Sequence, residues 1–92
     1  MTIPELLLEL PKSSREIAEK FRTEGIKGSR ACSGRCPITE YFKRKGILVV
    51  TGPFTLVAKD GDIVFSLPQA VCDFILYFDR GCYPELDEYW RD

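Results

Sequence analysis

Histidine is absent from all 92 residues. Its absence removes Ser–His and Cys–His nucleophiles, imidazole metal ligands and an imidazole pH switch. Long apolar runs are missing too. The longest charge-free stretch, through Ile47–Ala58, falls well short of the ~18–20 residues a membrane-spanning helix needs. Met1–Pro11 has no positive n-region and carries Glu5 and Glu9 inside its apolar stretch, so it does not read as a signal peptide. No Walker or dinucleotide glycine pattern occurs, and no motif positions a carboxylate pair. Glu5 with Glu9, and Asp87 with Glu88, read as solvated faces. These absences point away from an enzyme, a cofactor and a membrane partner.

The composition that is present describes one folded unit. Apolar residues make up 45% and charged residues 29%, too apolar for a disordered chain. The length leaves no room for a second core, which gives a single domain over 1–92. Four cysteines without an export signal are expected as reduced thiols in a cytoplasmic protein. A zinc site built from Cys32, Cys36, Cys72 and Cys82 is disfavoured. Spacings of three and nine residues are not the two-residue knuckles that aim paired sulfurs at one ion.

Local patterns place the elements. Ile3–Leu10 reads as a short helix with Pro4 in its first turn and Pro11 after it. Ser13 and Glu16 have capping-box spacing for a helix running to about Glu24, with Ile17, Ala18 and Phe21 inward. Gly25 fits the left-handed stop, and Ile26 is placed to touch Phe21. A third helix opens at Pro37 and stops at Gly46, with Ile47 standing to Phe42 as Ile26 stands to Phe21. The period then becomes two. Ile47–Thr51, Phe54–Lys59 and Asp62–Ser66 read as strands, separated by Gly52-Pro53 and Asp60-Gly61. A two-residue turn at Asp60-Gly61 sets Leu56 opposite Phe65, Val57 opposite Val64 and Ala58 opposite Ile63, with Lys59 beside Asp62. Leu56, Ala58, Ile63 and Phe65 then share one face. A last helix starts at Pro68, carries Val71, Phe74, Ile75 and Phe78 inward, and stops at Gly81. The fold class is therefore α+β: N-terminal helices, a three-stranded antiparallel meander and a C-terminal helix packed on the sheet.

Candidate contact residues come from charge and from leftover apolar positions. Lys12–Gly46 holds ten Lys or Arg against four acids, a net of +6; Asp60–Asp92 holds two against eight, a net of −6. Lys27, Arg30, Arg35, Lys43, Arg44 and Lys45 are the candidates for an anion or nucleic acid, with the loop before Pro37 feeding a helix N-terminus. A winged-helix regulator is the corresponding reading. It is opposed by the 12 residues between the second and third helices, where a helix-turn-helix uses three or four. Leu76 and Tyr77 lie off the core stripe of the last helix and, with Trp90, are the candidates for contact with a protein partner or a second copy.

Ile17-Ala18…Phe21…Gly25-Ile26…Gly28, Cys36-Pro37-Ile38…Tyr41-Phe42 and the ending Leu67-Pro68…Phe74…Phe78-Asp79-Arg80-Gly81…Tyr83-Pro84-Glu85-Leu86 carry a resemblance. The chain resembles small uncharacterised proteins of actinobacteria and their phages that pair an IAxxLxxxGIxG helix with a CPIAxYL helix. The resemblance implies one compact domain and brings no activity or catalytic residue. The reading that emerges is a small interaction module acting through protein contacts and borne by a phage or mobile element.

Overall fold

A computed structural model describes residues 2–29, 35–59, 61 and 63–87. The element order is α1 (Ile3–Glu9), α2 (Ser14–Glu24), α3 (Pro37–Arg44), β1 (Val49–Thr51), β2 (Thr55–Ala58), β3 (Val64–Ser66) and α4 (Gln69–Asp79). A 3-10 turn, Pro84–Leu86, follows. The fold is α+β, as the periodicities require.

The helix ends obey local chemistry. Ser13 Oγ accepts the Glu16 amide at 3.2 Å and starts α2. At α1, Thr2 and Glu5 complete a reciprocal capping box that the prolines alone did not disclose. Three helices share one stop. Ile26, Ile47 and Cys82 donate their amides to the carbonyls of Phe21, Phe42 and Tyr77 at 2.9, 3.0 and 2.9 Å. Gly25, Gly46 and Gly81 supply the left-handed residue at φ 70°, 81° and 82°. The first two copies are visible as Phe…Gly-Ile in the sequence. In the third, cysteine replaces isoleucine and disguises the repeat.

The sheet has the order β1-β2-β3, with Val49 opposite Ala58, Val57 opposite both Val50 and Val64, and Leu56 opposite Phe65. The register inferred from the Asp60-Gly61 turn holds at Leu56, Val57 and Ala58. Gly61 sits at φ 91°, as a primed turn demands. The Lys59–Asp62 pairing falls on residue 62, outside the described residues. The inner face buries Val49, Thr51, Leu56 and Ala58. Ile63 departs from the expected core: it has the right parity but is 55% exposed, in an open groove it shares with Thr2, Ile3 and Pro4.

Phe21, Tyr41, Phe42, Phe74 and Phe78 are almost fully buried and form the aromatic centre. Phe21 meets Tyr41 at 5.5 Å and Phe74 edge-on at 5.4 Å, tying α2 to α3 and α4. Each such pair contributes about 0.5–1.5 kcal/mol beyond its buried area. The heaviest packing of α4 is therefore against α2. The chain entering α4 is held at the β1–β2 turn, where the Leu67 amide bonds the Phe54 carbonyl at 3.0 Å. A buried hydroxyl pair, Thr39–Thr51 at 2.9 Å, ties α3 to β1.

The chain after α4 returns to α2. Tyr83 stacks on Phe74 at 5.5 Å, and its hydroxyl donates to Ser14 Oγ at 3.2 Å. Arg22 pairs with Glu85 at 3.0 Å, and Leu86 is fully buried. The acidic end thus lies on the basic segment, joining part of the two opposed charge blocks. Asp87 is buried too, 7% exposed, which corrects its reading as a solvated acid. A parallel bridge to Gly28 draws it inward.

Candidate functional site

Gly28 anchors the loop that precedes α3. Its amide donates to the Leu86 carbonyl at 2.8 Å, and the next amide, Ser29, donates to the Arg35 carbonyl at 2.7 Å. The loop is therefore closed at its base and joined to the C-terminal segment. Lys27 and Arg35 are exposed at its two ends; Arg30 and Cys32 lie outside the described residues. The bridge to Gly28 brings the backbone of Asp87 to this base.

The basic end of α3 is partly committed to the fold. Arg44 donates from Nη1 to the Glu24 carbonyl at 2.7 Å and from Nη2 to the Gly25 carbonyl at 2.9 Å. Its planar fork thus closes the C-terminus of α2, where carbonyls carry partial negative charge. Lys45 lies over the Tyr41 ring at 5.6 Å from its centroid, and Lys20 is 5.9 Å from the same centroid. Lys43 is exposed. Of the sequence candidates, Lys43, Arg44 and Lys45 are brought together, but two of the three already serve structural contacts.

Among the described residues, no group of three or more Cys, Asp or Glu side chains could hold a metal ion. Cys36 is buried at the N-cap of α3, and Cys82 is exposed at the stop of α4. Cys72 is half-buried, and its thiol donates to the Leu67 carbonyl at 3.7 Å. Burial, reinforced by the neighbouring Asp73 carboxylate, raises the Cys72 thiol above its ordinary pKa and keeps it protonated.

Apolar surface is the other resource. Leu76 and Tyr77 are 47% and 40% exposed, as their helical positions imply. They serve different surroundings, however. Leu76 borders a crevice of about 170 Å³ between α4 and the β1–β2 turn, lined also by Pro53, Phe54, Cys72 and Ile75. Tyr77 is not part of it, and Trp90 lies outside the described residues. Phe54, 71% exposed, is the residue the sequence reading missed. The signal was a large aromatic beside Gly52-Pro53, at a turn where polar residues are usual. Gln69, Asp73 and Asp79 complete the lining, which among the described residues carries two carboxylates and no cationic side chain. Gln69 Nε2 donates to Asp73 Oδ1 at 2.8 Å, fixing that rim.

A second, larger groove of about 620 Å³ opens between the start of α1 and the inner sheet face. Ile47, Leu48, Ile63 and Phe65 give it apolar walls, and among the described residues Lys59 is its one charged lining residue. No helix among the described residues is long and apolar enough to cross a membrane. No family model, curated protein or solved structure matches the chain.

Proposed function

We propose that this protein is a non-enzymatic interaction module that docks another polypeptide in the crevice between α4 and the β1–β2 turn. The single observation behind the reading is the composition of that crevice. Phe54, Ile75 and Leu76 offer an apolar seat, with Asp73 and Asp79 at its edge. Its volume, about 170 Å³, suits one Leu- or Phe-sized side chain and falls below the ~300–1,000 Å³ typical of small-molecule pockets. The rim selects charge. A partner segment that presents an apolar anchor flanked by Lys or Arg complements both features.

Two amphipathic peptides of equal length test this reading, one of Leu and Lys and one of Leu and Glu. The Leu/Lys peptide is expected to bind and to shift the amide resonances of Phe54, Leu76 and Asp79 first. Phe54→Asp with Leu76→Glu should abolish binding while melting stays within a few degrees, since both side chains are exposed. Binding of the Leu/Lys peptide at Lys43 or Tyr77, with Phe54 silent, would overturn the assignment.

A further inference from the structure

The outer edge of the sheet has a specific hydrogen-bonding state. The Ala58 amide bonds the Ile63 carbonyl at 2.9 Å, and the Leu67 amide bonds the Phe54 carbonyl at 3.0 Å. Alternation in an antiparallel pair then turns the peptide groups of Ile63, Phe65 and Leu67 toward β2 and those of Val64 and Ser66 away from it. The edge is bare in its side chains as well. Ile63 is 55% exposed and Val64 60%, and the run Ile63–Leu67 contains no charged residue. Sheet edges are ordinarily guarded by a lysine, a proline, a bulge or a very short strand; Val64–Ser66 has neither lysine nor proline, and its three-residue length limits pairing without blocking it.

We infer that β3 is a self-association edge, taking as its occupant a second copy of the same strand, antiparallel about a two-fold axis at Val64. This register makes the two outward-facing valine peptides exchange both hydrogen bonds. The side chains agree with it. Val50, Val57 and Val64 form one row across the outer sheet face, and the two-fold axis continues that row into a second copy as six valines. On the inner face the same axis sets Ile63 opposite Phe65 of the second copy. Both residues line the groove beneath α1, so the two grooves meet at the axis. No like charges oppose each other in the paired run. Slipping the register by one residue would oppose outward and inward peptide groups and turn valines against the inner-face residues.

Area sets the strength. Pairing a run this short leaves the contact well below the ~1,200–2,000 Å² of stable interfaces. The dimer is therefore weak and transient, and binding elsewhere that raises the local concentration would strengthen it.

The test is sedimentation velocity at about 10 µM and about 1 mM, joined to amide exchange at both concentrations. The expected result is a rise from monomer toward dimer, with exchange at Val64 slowed several-fold. Val64→Pro removes the outward amide without touching β2 and should leave a folded monomer at either concentration. Val64→Lys, which alters only an exposed side chain, should do the same. Leu76→Glu should leave the dimer intact, separating this edge from the α4 crevice. A wild type that stays monomeric at 1 mM overturns the inference. So does a dimer that survives Val64→Lys, or one that is lost with Leu76→Glu.

Discussion

Gly28 shows how narrow the tolerance is at single positions. A methyl group on its Cα would collide with the Arg35 carbonyl oxygen and stand 2.6 Å from the Pro37 nitrogen, both backbone atoms that cannot rotate aside. Gly28→Ala is therefore expected to cost about 2–3 kcal/mol, the upper range for overpacking. Gly25 has open space around it and a φ of 70°, so Gly25→Ala should cost only about 1 kcal/mol, from backbone strain alone. Chemical denaturation of the two variants checks the ordering. Titration adds a second residue-scale expectation. Burial raises the Tyr41 phenol above its ordinary 10.0, with Lys20 opposing. The hydrogen bond that Lys20 donates to the Glu24 carboxylate raises Lys20 above 10.5, against a smaller effect of burial. Cys72 is raised from 9.0 by burial. In each case the unfolded chain releases its proton first. The stability these groups contribute is complete below about pH 9 and is lost as pH climbs through the raised values. Melting temperature should fall between pH 9 and 11, and less steeply in Tyr41→Phe. A flat or rising profile would contradict the assignment.

The elements follow from periodicity and capping because those forces act over a few residues. Phe21…Gly25-Ile26 and Phe42…Gly46-Ile47 specify two helix stops within six residues each, and the meander follows from Asp60-Gly61 and alternation. Long-range pairings were not legible in the same way. The fork of Arg44 on the Glu24 and Gly25 carbonyls joins residues about twenty apart, and no local pattern announces it. The sequence offered Arg44 as a phosphate contact; the structure gives it a capping partner. Arg44→Ala should cost about 1 kcal/mol, reduced from a buried charged hydrogen bond by exposure, and Arg44→Lys should recover less than half because ammonium lacks the fork. Urea denaturation reads both, with amide exchange at Ile26 rising in each. Equal stability of all three proteins would show that the cap carries no weight.

At the scale of the molecule, two opposite charge blocks fold against each other through Arg22 and Glu85, while the α4 crevice retains an acidic rim. Leu76 was legible as surplus to the core because helix geometry places it off the Val71–Phe78 stripe. Its neighbours were not. Phe54 comes from a turn more than twenty residues away, and only the packed fold shows that Leu76 shares a seat with it while Tyr77 does not. The same holds for Ile63, whose parity is correct and whose exposure depends on the groove left between α1 and the sheet. The central claim is that the rim carboxylates choose the partner's charge. Reversing both in one variant, Asp73→Lys with Asp79→Lys, and titrating it calorimetrically with the Leu/Lys and Leu/Glu peptides tests that claim directly. Wild type should favour Leu/Lys and the variant Leu/Glu, an exchange of preference of about tenfold or more in each direction. Unchanged preference in the variant, or no discrimination by the wild type, would contradict the account.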